Sequence, residues 1–212
     1  MRDDLTDAPT AIVRTPTLRE EIASAAAALI AEDGLDYASA KRKAYERITG
    51  GRGARIAKEN LPSNEQIQEA LRDYQALFQQ ESQPQRLLAL RKKALALMRL
   101  IVDFQPVVVG AIANGTAGEH SDIHIHCYTD NAKALGMFLI DHHIAHEAAF
   151  LPHVRAGRAD VEALALRWQG ELAVIAVYSE REARRLHRAA AKGHSERLDI
   201  RTLEDCIAES NG

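Results

Sequence analysis

The sequence predicts an α+β protein in which a helical N-terminal half precedes a small domain with a mixed sheet. Two observations predict this class. Residues 17–103 carry apolar side chains at helical spacing, and after Pro106 the chain changes to short apolar or alternating runs separated by helical segments. Helices segregated from a mixed sheet are typical of α+β domains. We expect a flexible N-terminus over 1–16, a helical bundle or cap over 17–103, and the second domain over 104–212.

Turn and capping residues divide the first half into four helices. The first apolar stripe ends near Gly34, and a second helix is expected over 37–48, before two glycines. Ser63, followed three residues later by Gln66, forms a capping-box pattern that predicts the start of a third helix. Pro84 is typical of the first turn of a helix and therefore indicates a fourth.

Alternation and turn residues locate the elements of the second half. Gln169 and Gly170 separate two apolar runs, which predicts a hairpin. The expected strands are 107–113, 122–128, 144–151, 161–168 and 171–178. The expected helices are 131–142, 181–191 and 203–208. Strands and helices therefore mix in this half of the chain.

Composition limits the class of protein without identifying a partner. The chain has 212 residues, of which 27% are charged and 46% apolar, and its net charge is -3. These values fit a globular protein of one or two domains. Positive charge is concentrated over 41–58 and 86–99, so these helical stretches are candidate surfaces for an anionic partner such as RNA. Solvated helix faces are the structural alternative.

The sequence carries no recognisable targeting or membrane signal. It begins with acidic residues instead of a basic stretch and an apolar core, and no uncharged apolar run reaches about 18 residues. We therefore expect a cytoplasmic protein that has no membrane partner.

The segment 107–128 carries the residues with the clearest chemical potential. Its apolar run ends in a turn that contains Gly115, and in the following strand Asp122, His124 and His126 alternate with apolar residues. A glycine turn lets backbone N–H groups approach a phosphate closely, and an aspartate beside it can hold a divalent cation that bridges the phosphates. The pattern therefore indicates a site for a phosphate and a metal ion.

This segment resembles the nucleotidyltransferase superfamily of DNA polymerase beta-like proteins. Gly115 and Thr116 stand where the family has the Gly-Ser pair that opens a helix. Ser121 and Asp122 match the beginning of its Ser-Asp-x-Asp strand, and His124 stands where the second aspartate is expected. The resemblance implies that Gly115 and Thr116 bind a nucleoside triphosphate. It also implies that Asp122 binds Mg2+ or Mn2+ and that a nucleotidyl group moves to an acceptor hydroxyl.

The family also takes a third carboxylate from a later strand. Glu171, at the start of the last apolar run, is the nearest candidate in this sequence. The resemblance therefore implies a catalytic set of Asp122, His124 and Glu171.

One departure from the family pattern keeps two alternatives open. His124 replaces a carboxylate, and a neutral imidazole offers a divalent cation neither negative charge nor a hard oxygen. The protein could then be a non-catalytic nucleotide- or RNA-binding module. Alternatively, Asp122, His124 and His126 could bind Zn2+ in a transition-metal hydrolase, because imidazoles two residues apart on a strand are a common pair of zinc ligands.

Overall fold

The computed structural model describes residues 15–50, 61–153, 157–183 and 197–210. It confirms the α+β class, since a run of helices precedes a six-stranded mixed sheet. The helices of the first half are α1 (Leu18–Asp33), α2 (Tyr37–Thr49), α3 (Asn64–Phe78) and α4 (Ser82–Leu100). The strands are β1 (Val107–Val109), β2 (Ile123–Tyr128), β3 (His146–Leu151), β4 (Val161–Trp168), β5 (Glu171–Tyr178) and β6 (Arg197–Leu198). The helices among them are α5 (Ala111–Asn114), α6 (Ala132–Asp141) and α7 (Ile200–Glu209).

Side-chain caps define the starts of the helices. Ser63 and Gln66 form the predicted capping box of α3, in which each side chain accepts a hydrogen bond from the backbone N–H of the other residue. Helix α4 begins at Ser82, earlier than expected, because Pro84 occupies the first turn, where a missing N–H costs no helical hydrogen bond. Helix α7 begins at Ile200, three residues earlier than expected, because the Asp199 side chain caps it.

The four helices of the first half do not pack as one bundle. Helices α1, α2 and α3 share a core of small and branched side chains that includes Ile22, Ala26, Ala40, Ala44 and Ile67. The buried side chains of α4 belong to the core of the sheet instead, together with residues of α6 and α7. Helix α4 therefore packs with the second half, although the sequence groups it with the first.

The sheet has the strand order β3-β4-β5-β2-β1-β6. Only β2 and β5 pair in parallel among the described strands, and the other neighbours are antiparallel. The predicted hairpin across Gln169 and Gly170 joins β4 to β5. Helices α4, α6 and α7 pack on one side, which we call the helix face. The opposite side, the second face, carries a smaller cluster that contains residues of β1, β2, β4 and β5.

The expected strand 107–113 is wrong beyond Val109. Gly110 adopts φ 69° and ψ -146°, a conformation that is essentially restricted to glycine, and the chain then turns into α5. Gly115, with φ 84°, ends that short helix. An apolar run alone could not distinguish these two conformations.

Three expectations fall partly outside the described residues. Residues 180–183 are helical, as predicted, but the rest of the expected helix 181–191 lies outside the described part. The same holds for residues 51–58 of the first basic stretch and for most of the expected N-terminal tail. Within the described ranges, none of the helices combines the length and hydrophobicity that crossing a bilayer requires.

We predict that replacing Gly34 by alanine destabilises the fold more than the same change at Gly50. Both glycines have positive φ, 67° and 76°, so an added Cβ strains each by about 1 kcal/mol or more. At Gly34 the new Cβ would also lie 2.6 Å from the Cβ of His120, whereas at Gly50 no atom of the described residues lies within 4 Å. Urea denaturation should show an additional loss of at least about 1 kcal/mol in the free energy of unfolding for Gly34→Ala. Equal losses would contradict the close approach of α1 to the loop that carries His120.

Candidate functional site

Side chains of α3 and α4 hold the loop 114–119 by its carbonyl groups. Gln83 Nε2 donates to the carbonyl oxygens of both Gly115 and Ala117, at 3.0 Å each. Three further side chains donate to backbone carbonyl oxygens of the same loop. Arg72 donates to that of Asn114 at 3.1 Å, Gln75 to that of Thr116 at 2.9 Å, and Arg86 to that of Glu119 at 3.3 Å. Long polar side chains thus provide partners for the loop carbonyls, of which those of Gly115, Thr116 and Ala117 are bonded in buried or partly buried surroundings.

The backbone N–H groups of this loop also have partners within the chain. The amides of Gly115, Thr116 and Ala117 donate to the carbonyl oxygen of Ala111. The amide of Gly118 donates to Ser121 Oγ at 3.0 Å. A phosphate at this turn would have to compete with these internal hydrogen bonds. Phosphate binding by Gly115 and Thr116 therefore stays a prediction from the sequence.

The alternation of β2 places its side chains as the sequence predicts. Ile123, Ile125 and Cys127 are buried in the core of the helix face. His124 and His126 point to the second face, and Asp122, which directly precedes the strand, continues their row. We call Asp122, His124 and His126 the polar row. His124 is exposed, Asp122 is half-buried and His126 is only 8% exposed.

The two histidines of the polar row differ in their electrostatic surroundings. Although the His124 side chain is exposed, the protein around it limits its hydration and lowers its pKa, and the Asp122 carboxylate opposes this shift. Burial lowers the pKa of His126 to about 3, and the positive charges of Arg197, His124 and His153 act in the same direction. The His126 imidazole is therefore neutral at pH 7.

Glu171 does not join Asp122 and His124. In β5 it alternates with Ala173 and Ile175, which belong to the core of the helix face, whereas Val174, the partner of His124, has the opposite orientation. Its carboxylate binds Arg86 at 2.7 and 2.8 Å and Lys93 at 2.7 Å. Hydrogen bonds from these two cations lower the pKa of Glu171 to about 2. The structure thus separates the expected catalytic set between the two faces of the sheet.

Further polar residues, which sequence reasoning missed, extend the polar row on the second face. The Arg197 guanidinium donates from Nη1 to the Tyr128 hydroxyl at 2.6 Å. The ring centroid of Tyr178 lies 4.7 Å from that of His126 and 5.5 Å from that of His153. We call His126, Tyr128, His153, Tyr178 and Arg197 the distal cluster.

Two buried atoms of the distal cluster have no hydrogen-bond partner among the described residues. They are Nδ1 of His126 and Nε of Arg197. His153 differs, because its Nε2 lies 2.9 Å from a carboxylate oxygen of Glu182. The alternation that selects His124 and His126 extends to Tyr128 and could have identified it. Arg197 approaches from a distant part of the sequence, so no local pattern could have found it.

The arrangement of the potential metal ligands does not by itself indicate a metal site. In the part of the chain that the structure describes, no three His, Cys, Asp or Glu side chains are grouped so that they could hold a metal ion. The Zn2+ and Mg2+ sites therefore stay predictions.

Comparison with known proteins gave no match. No family model, curated protein or solved structure is similar to this chain at a significant level. The candidate site is therefore interpreted from its own residues.

We predict that Gln83→Glu loosens the 114–119 loop. An ionised carboxylate cannot donate to the two carbonyl oxygens that Gln83 now binds, and it repels them, so we expect a loss of roughly 2 kcal/mol in the free energy of unfolding. Gln85→Glu is a matched control, because Gln85 is exposed in the same helical turn and gains the same charge. Urea denaturation should leave the control within about 0.5 kcal/mol of wild type. Similar values for the two variants would show that Gln83 does not hold the loop.

We predict that the stabilising effect of Glu171 disappears in acid. Its folded pKa of about 2 lies below the ordinary value of 4.5, so its contribution is complete above about pH 4.5 and is lost as the pH falls toward 2. At pH 6 the free energy of unfolding should be higher for wild type than for Glu171→Gln, and this difference should be smaller at pH 3. The exposed residue Glu162 provides a control in Glu162→Gln. A difference that is equal or larger at pH 3 would contradict the ion-pair assignment.

Proposed function

We propose that this protein is a non-catalytic nucleotide-binding module whose ligand lies on the second face of the sheet. The observation that carries this proposal is the polar row, in which a carboxylate and two imidazoles share one face at the centre of the sheet. Buried strands seldom present such side chains unless they meet solvent, an ion or a ligand. Helices α4, α6 and α7 cover the other face. On the second face, the exposed His124 and the half-buried Asp122 are the members of the polar row that a ligand can reach directly.

The chemistry of the second face suits the phosphate groups of a nucleotide. Arg197 and the exposed His124 imidazole can interact with phosphate oxygens, whereas the rings of Tyr128 and Tyr178 are buried and pack within the distal cluster. At the edge beside the polar row, Gly110 leaves open space where a Cβ would lie, since no described atom is within 4 Å of that position. The phosphate groups of a nucleotide thus have chemically suitable neighbours on this face. A nucleotide ligand also agrees with the cytoplasmic location expected from the sequence.

The residues present do not fit a two-metal transfer centre. Such a centre requires carboxylates that converge on both ions, whereas here Asp122 is followed by two imidazoles and Glu171 lies on the helix face. Asp122 fits one Mg2+ or Mn2+ that arrives with the phosphates, because these ions are often held by one carboxylate and the substrate. This difference favours binding over nucleotidyl transfer.

The geometry favours a nucleotide over RNA. Of the five basic residues in the stretch 86–99, three have acidic partners: Arg86 and Lys93 bind Glu171, and Arg99 binds Glu204 at 2.6 Å. The free positive charge on α4 is therefore smaller than the sequence suggests. This leaves the second face as the stronger candidate for an anionic ligand.

We predict that nucleoside triphosphates raise the melting temperature, and that part of the effect depends on Mg2+ or Mn2+. Ligand at about 100 times its Kd should add about 2.7 kcal/mol to the stability. Asp122→Asn should remove the metal-dependent part of the shift. Asp141→Asn should not, because Asp141 is exposed at the end of α6. Thermal-shift assays and calorimetry would measure both variants.

Three results would overturn this proposal. No shift with any nucleotide, with or without metal, would exclude nucleotide binding. Release of pyrophosphate with transfer of the nucleotide would show that the protein is a transferase. Stoichiometric Zn2+ in the purified protein that is lost in His124→Ala would support the hydrolase instead.

A further inference from the structure

The buried imidazole of His126 has one ring nitrogen without a hydrogen-bond partner among the described residues. His126 is 8% exposed, and its Nδ1 has no hydrogen-bond partner within the described ranges. Buried polar atoms in folded proteins nearly always have a partner, so each exception requires an explanation. The neighbouring Tyr178 ring, 4.7 Å away between centroids, packs against the imidazole but fixes only its position. A bound ligand would supply the missing partner.

Arg197 provides a second such atom in the same cluster. The Tyr128 hydroxyl accepts from Arg197 Nη1 at 2.6 Å, which fixes the plane of the guanidinium. The buried Nε has no partner in the part of the chain that is described. A guanidinium is flat and carries its donors in a fixed fork, which matches the spacing of two oxygens in a phosphate or carboxylate. The Tyr128 contact therefore holds Arg197 ready for an oxyanion.

The charges around His126 select an anion over a cation. The Arg197 guanidinium, which stays positively charged at pH 7, acts at the His126 imidazole. The carboxylate nearest to His153 is Glu182, and the two form an ion pair when His153 is protonated. Asp122 acts on His124, at the other end of the polar row. The field at His126 is therefore positive, which disfavours a metal ion and favours a negatively charged group.

We infer that His126 and Arg197 form a subsite for a phosphate group, with Tyr128 as the residue that positions Arg197. This inference rests on the proposed function, because the phosphate would be the terminal phosphate of the nucleotide. Free inorganic phosphate has the same chemistry and should occupy the same place. The imidazole and the guanidinium hold separate oxygens of one tetrahedral group.

The test uses the full chain and two probes, inorganic phosphate and ATP without metal. Phosphate should shift the imidazole NMR signals of His126, and the shift should reach a plateau as the phosphate concentration rises. Arg197→Gln should weaken phosphate binding by about tenfold or more, the loss expected for a charge-assisted hydrogen bond. Arg201→Gln is the matched control, because Arg201 is exposed on α7 and loses the same charge. Circular dichroism and the melting temperature without ligand would show that both variants are folded.

The outcomes separate the subsite from the proposed function. If ATP displaces phosphate and adenosine does not, the result supports both the subsite and the proposed function. If phosphate binds as expected but no nucleotide competes, the subsite stands and the proposed function fails. If ATP binds equally to wild type and Arg197→Gln, the subsite is wrong and nucleotide binding remains. Equal phosphate affinity in Arg197→Gln and Arg201→Gln, or His126 signals that do not move, would likewise overturn the subsite.

Discussion

The loop between Asn114 and Glu119 is the constraint on which the candidate site depends. Its carbonyl groups cannot be buried without donors, and α3 and α4 supply those donors from Arg72, Gln75 and Gln83 as well as Arg86. The same loop leads into β2, which begins at Ile123. A shift of one residue in the register of β2 would exchange its two faces and bury the polar row in the core. The helical half therefore acts on the site through the backbone.

The two faces of the sheet keep two sets of charges apart. On the helix side, Glu171 binds Arg86 and Lys93, so these cations of α4 have a structural role. On the second face, Arg197 donates to the neutral hydroxyl of Tyr128, and no carboxylate of the described residues forms an ion pair with it. Because Glu171 lies on the helix face, it adds no negative charge to the second face, where Asp122 is the carboxylate of the polar row. The separation of charge thus determines which kind of ligand each face can take.

Local patterns in the sequence predict the fold better than the site. The Ser63 capping box, the hairpin at Gln169 and the alternation of β2 each depend on neighbours within a few residues, and all three are present. The face on which Glu171 lies depends on the register between two strands that are distant in sequence. An error of one residue in that register would place Glu171 on the opposite face. Arg197 enters the site only because β6 pairs with β1. These two features decide the chemistry, and both are set by contacts that are remote in sequence.

The same remote contacts decide between a metal ion and an anion at His126. With a pKa of about 3 the imidazole is neutral, a state that suits a metal ligand and a hydrogen-bond donor equally well. The positive charge of the Arg197 guanidinium distinguishes between these two ligands. At about 4 Å and an effective dielectric constant of about 20, a divalent cation meets a repulsion of roughly 8 kcal/mol from one positive charge. A phosphate is attracted by a comparable energy and can also accept hydrogen bonds from both groups. Zinc ligation by His126 would therefore require Arg197 to move away, which would break its contact with Tyr128.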